Sequence, residues 1–179
     1  VYTGGRPINA LTTAFTNLGK GYAGPIPVPV IIFAIVALIS WFFLAKTQFG
    51  RYIYAIGGNE KAALVSGLRV KQLKFLSYVI NGMTAALAGI LLAARVAVGS
   101  PTAGESYDLL AITAVVVGGT SNAGGTGGIL PSIIGVFIVT VMNNGMDLLG
   151  ISGYYQKIVT GVVVLLAVII DRNNVNRNH

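Results

Sequence analysis

Few side chains in this sequence can do chemistry, and their spacing excludes most kinds of it. The five acids, Glu60, Glu105, Asp108, Asp147 and Asp171, are scattered, with no pair spaced for general acid–base work. The only histidine, His179, is the last residue, a poor place for a catalyst or a metal ligand. There is no cysteine, so disulfides, thiolate metal sites and a Cys nucleophile are excluded. The run Gly118–Gly128, GGTSNAGGTGG, has the glycines of a phosphate cradle, but a P-loop needs a Lys that is absent, and Ile129 follows instead. The chain is therefore expected to be no enzyme and to hold no metal and no cofactor of its own.

Several amides and one acid lie in apolar surroundings. Asn81, beside Gly82, must face a helix bundle, where it either bonds a neighbouring helix or touches a solute. Asn143 and Asp147 are one helical turn apart, with Asn144 adjacent. They either hydrogen-bond to a neighbour or line a solute pathway.

The elements that position these residues follow from composition. The 179 residues are 54% hydrophobic and 9% charged, against about 25% charged in a soluble domain. Such a surface excludes a soluble enzyme, and a disordered chain would be polar. The net charge of +7 sits on basic residues between apolar runs, a signature of cytoplasmic membrane loops rather than of nucleic-acid binding. Residues 1–25 are polar and Gly-rich and begin at Val1, which reads as a mature or internal start without a signal peptide.

Ile26–Ala45 and Phe75–Ala94 are each 20 uncharged residues, roughly 30 Å of helix and one hydrocarbon thickness. Ala85, Gly89 and Ala93 form a small-residue stripe on the second, a bundle-packing feature. Residues 129–149 and 151–170 make two further spans, with Lys157 snorkelling outward, as Arg95 does at the end of the second span. The segment 46–74 carries six basic residues and one acid and is placed in the cytoplasm, whereas 99–108 carries two acids and no base and is placed outside. With Arg172 and Arg177 marking an inside tail, the short stretch 107–118 must cross or nearly cross as a broken helix. Its exit, Gly118 and Gly119 onward, is then irregular backbone near the inner side, buried in protein, lining a pathway or forming a re-entrant loop. The expected fold is an all-α integral membrane protein: one polytopic bundle of about five membrane segments, one of them short or broken.

Within 46–74, Gly57-Gly58 reads as a turn, Asn59 as an N-cap with Glu60 in the first turn, and Gly67 as the stop of a helix over Glu60–Ser66. A seven-residue helix is unstable alone in water. It must pack on its own bundle, on the membrane or on a cytoplasmic partner.

Phe49–Gly67, FGRYIYAIGGNEKAALVSG, resembles the cytoplasmic signature of permease subunits of ribose-type ABC importers, in the branched-chain amino acid and monosaccharide permease superfamily. Ala114–Ser121, Gly124–Gly128, Asn143–Gly145, Gly4–Ile8 and Tyr155-Gln156 are also similar to family positions. Family permeases are roughly twice as long, so the chain looks like a C-terminal half. The resemblance implies a permease dimer, homo- or heteromeric, in the bacterial inner membrane, surrounded by lipid. It implies a separate ATP-binding subunit holding ATP and Mg, and a periplasmic or lipid-anchored sugar-binding protein. The coupling helix gripped by the ATPase would comprise Gly57, Gly58, Asn59, Glu60, Ala62, Ala63, Ser66 and Gly67. Glu105 and Asp108 would meet the binding protein, and Asn81, Gly118, Gly119, Asn143, Asn144 and Asp147 would line the sugar pathway. The competing readings are an ion-coupled secondary transporter using Asp147, and a structural membrane anchor. Both lack a reason for a force-transmitting cytoplasmic helix.

Overall fold

The computed structural model describes residues 12–100 and 102–177; Gly4–Ile8 and His179 lie outside the described residues. Eight helices and one short hairpin account for most of the described residues, so the architecture is the all-α helical bundle that the composition requires. Among the described residues, three helices are long and apolar enough to cross a membrane, and two shorter apolar helices accompany them. The chain divides into two compact units, residues 1–40 with 71–105, and residues 41–70 with 106–179.

The first unit begins with α1, Thr13–Lys20. A Cβ at Gly19 would run into the backbone of Ala94 and Arg95, so a glycine is what lets α1 lie on the end of the long helix over Val70–Val96. Ala94 is fully buried there. Next, β1 (Tyr22–Ala23) pairs antiparallel with β2 (Ile26–Pro27) around Gly24 at φ +66°. This hairpin takes the two residues that the apolar run offered to the first span. Helix α2 therefore starts at Val28, with Pro29 in its first turn, where a missing N–H costs nothing. It ends at Lys46, it is apolar nearly all round, and none of its residues is buried. Helix α5 (Val70–Val96) is 27 residues, longer at both ends than the uncharged run 75–94. Lys71 and Lys74 ride on its polar first turns. Gly82 and Gly89 have nothing within 4 Å of a would-be Cβ, so the small-residue face lies open.

In the second unit, α3 (Gln48–Gly58) follows α2 through a bend capped by Thr47, whose Oγ1 accepts from the Gly50 N–H at 3.3 Å and donates to the Phe43 carbonyl. Helix α4 (Glu60–Val65) follows at once. The core is α6 (Tyr107–Val117), packed on both α7 (Ile129–Leu148) and α8 (Gly153–Arg177). Thr113, Ala114, Val116, Val139, Met146 and Thr160 are buried in this unit. Thr113 is fully buried, and its hydroxyl donates to the Leu109 carbonyl at 2.6 Å, which satisfies it within its own helix. A Cβ at Gly135 would meet the Ala114 carbonyl and one at Gly118 the Pro131 carbonyl, so α6 and α7 touch backbone to backbone. Eleven residues make α6 about 16 Å long, half a hydrocarbon thickness.

Candidate functional site

The signature segment Phe49–Gly67 folds as a helical step. Asn59 ends α3 and caps α4, its Oδ1 accepting from the Ala62 N–H at 3.0 Å. At the other end Gly67 stands at φ +81°, its N–H bonded to the Leu64 carbonyl, while the Leu68 N–H bonds the Ala63 carbonyl. These two bonds form a Schellman stop, which a left-handed glycine permits. Ser66 donates its hydroxyl to the Ala62 carbonyl at 2.9 Å. Of the residues expected to meet a partner, Asn59, Ser66 and Gly67 thus shape the helix, and Ala63 is buried. Glu60 and Ala62 are exposed. The sequence reading missed two aliphatic side chains that α4 presents openly, Leu64 at 61% and Val65 at 87% exposure. A helical wheel over six residues is too short to tell an inward from an outward aliphatic face.

Gly57 and Gly58 correct the reading as a turn: they are the last residues of α3. Their small size serves a contact with the glycine-rich loop. A Cβ at Gly57 would lie 2.6 Å from the Gly125 nitrogen, and one at Gly124 would lie 2.6 Å from the Gly57 oxygen. Gly124 and Gly125 also have φ of +94° and +77°, so glycine is required twice over. Tyr54 donates its hydroxyl to the Gly127 carbonyl at 3.0 Å, two loop residues beyond Gly125. The loop is closed internally by Ser121 N–H to the Thr126 carbonyl at 3.1 Å and Ala123 N–H to Ser121 Oγ at 3.2 Å. Asp171, on α8, holds its other flank: one carboxylate oxygen accepts from Ser121 Oγ at 2.9 Å and from the Asn122 N–H at 3.0 Å. Two motifs that look separate in sequence therefore meet at one end of the second unit, together with an acid to which the sequence reading gave no role.

The remaining candidates do not join this cluster. Asp147 lies at the end of α7, where Gln156 Nε2 donates to its Oδ1 at 2.7 Å and to the Ile151 carbonyl at 2.9 Å, stapling the α7–α8 turn. Asn143 is half-buried on α7 and Asn144 exposed. Asn81 is exposed on α5. Gly118 is spent on the α6–α7 contact, whereas Gly119, at φ +93°, is open. An open cleft of about 420 Å³ lies between the end of α6 and α8, lined by Val116, Val163, Leu166 and Ala167 with Thr120 and Asp171 as its polar groups. Glu105 and Asp108 are exposed, Asp108 in the first turn of α6.

Residues 3–168 match the family model described as branched-chain amino acid transport system / permease component. The chain is 52% identical over 174 residues to the ribose import permease protein of Bacillus subtilis, covering 96% of this chain and 54% of that protein. The ribose import permease protein of Escherichia coli K12 is 49% identical over 175 residues, again 96% of this chain and 54% of the relative. The xylose transport system permease protein of Haemophilus influenzae is 45% identical over 149 residues, 83% of this chain and 40% of the relative. The chain thus spans about half the length of the curated relatives it matches. No solved structure matches.

Proposed function

As the chain belongs to the family of branched-chain amino acid transport system permease components, we propose that it is the C-terminal part of the membrane-spanning subunit of an ATP-binding-cassette importer. The importer brings a monosaccharide, ribose or a similar pentose, into the cytoplasm across the bacterial inner membrane. The solute class is carried by the ribose and xylose permeases among the relatives. The chain is a conduit and not an enzyme; ATP and Mg belong to a separate ATP-binding subunit.

The observation that carries this reading is α4. A six-residue helix is stable only when it is held, and this one is capped at both ends, seated through Ala63, and left with Leu64 and Val65 outward. That is the form of a docking knob for a groove on a cytoplasmic partner. The basic residues around it, Arg51, Lys61, Arg69 and Lys71, are exposed and suit an acidic rim or anionic lipid. Glu105 and Asp108 are the corresponding outer contacts for a sugar-binding protein. A second permease copy covers the open α2 and α5 faces. Asn81, Gly119, Asn143 and Asn144 remain candidates for the sugar path. Asp147, tied to Gln156, reads better as a turn staple than as an ion-coupling acid.

The test is co-purification of the full-length permease with its ATP-binding subunit from membranes. Leu64→Asp and Val65→Asp are expected to weaken association by about tenfold or more each, since a charge would then have to be desolvated in the groove. Ala62→Ser is expected to change it little. Sugar uptake that persists with no ATPase partner would discard the importer and leave an ion-coupled transporter.

A further inference from the structure

We propose that loop 119–127 and the α3–α4 step form one stiff block, tied to α8 by Asp171, through which displacement of α4 reaches α6, α7 and α8 directly. This rests on the reading of α4 as the docking helix. Asp171 and Tyr54 are then positioning residues for transport, a role no signature motif gives them.

Four features support it. First, Gly57 and Gly58 meet Gly124 and Gly125 backbone to backbone, with no side chain between them to absorb a displacement. Second, Tyr54 bonds the Gly127 carbonyl, one residue before the Gly128 cap of α7. Third, the loop leaves α6 at Gly118, which is itself seated on Pro131 of α7, so loop, α6 end and α7 start are one packed piece. Fourth, the Asp171 carboxylate takes two donors from the loop across 50 and 49 residues of sequence. These are charge-assisted bonds and the stronger for it. The open cleft between α6 and α8 lies beside this clamp. Where side chains do not fill the space, the polar clamp, and not apolar packing, fixes the loop to α8. Only Asn59 separates α4 from Gly58, so a push on α4 enters the block after a single residue. It need not travel along α2 or α5.

The experiment uses the full-length permease assembled with its ATP-binding subunit and binding protein in liposomes, and reads sugar taken up per ATP hydrolysed. Asp171→Ala and Tyr54→Phe are expected to assemble and hydrolyse ATP while uptake per ATP falls about fivefold or more. Asp171→Asn, whose Oδ1 can still accept both donors, is expected to recover most of it. A permease whose only cysteines are Ser121→Cys and Asp171→Cys is expected to be poorly coupled until a short thiol cross-linker joins them, and then to regain uptake. An unchanged ratio in Tyr54→Phe or Asp171→Ala overturns the proposal. So does a cross-link that blocks uptake, because the loop and α8 would then have to part during transport. Failure of the wild-type permease to bind any ATPase would instead sink the docking reading beneath it.

Discussion

At Gly125 two demands fall on one residue. Its φ is +77°, and a Cβ there would lie 2.8 Å from the Gly58 Cα. Gly125→Ala is expected to cost about 2–4 kcal/mol, about 1–2 from left-handed backbone and the rest from forcing two backbones apart. Gly89→Ala, mid-helix with nothing nearby, is expected to be neutral or to gain up to about 1 kcal/mol. Thermal unfolding of the purified protein in detergent compares the two, and equal shifts would show that the Gly57–Gly125 contact is not tight. Sequence alone distinguishes these glycines poorly. It flags both as small residues in apolar or glycine-rich surroundings, and what separates them is a neighbour far away in the chain that Gly125 has and Gly89 lacks.

The helix α4 was the most legible element. Asn59 as cap, Glu60 in the first turn and Gly67 as left-handed stop are local chemistry, readable within nine residues. Asn59→Ala is expected to cost α4 about 1 kcal/mol, and Asn59→Asp to keep the cap. Gly67→Ala should cost a similar amount through its positive φ. Amide hydrogen exchange at Ala62 and Ala63 reads both changes; protection unmoved by either would mean that the seating of Ala63 alone holds the helix. Element ends were less legible where a partner decides them. The hairpin at 22–27 claims Ile26 and Pro27 from the apolar run, and α5 extends back to Val70 because polar residues are tolerated beyond the apolar stretch.

Across the second unit, backbone contacts fix which ends share a side. Gly57 touches Gly125, and Asp171 holds Ser121, so the α3–α4 step, the glycine-rich loop and the α8 end lie together. The Asp147–Gln156 staple closes the opposite end of α7. Since the described chain has no cysteine to interfere, single cysteines at Lys61, Asn122 and Ser152 in an otherwise cysteine-free permease can be labelled with a membrane-impermeant thiol reagent. Labelling is expected from the cytoplasmic side at Lys61 and Asn122 and from the outer side at Ser152. Labelling of Asn122 from outside would break the crossing by α6.

What the sequence determined by itself is whatever depends on neighbours in the chain or on bulk composition. Low charge and long apolar runs require a helical membrane bundle, because lipid leaves no other partner for backbone N–H and C=O groups. Caps and left-handed glycines set α4. The tertiary structure alone decided the pairing of the two glycine motifs, the loop-holding role of Asp171 and Tyr54, and the outward face of Leu64 and Val65. The loop contacts depend on residues some 50 to 73 positions apart, and neither propensity nor periodicity carries information over that range. A glycine shows only that something comes close, and the fold shows what does.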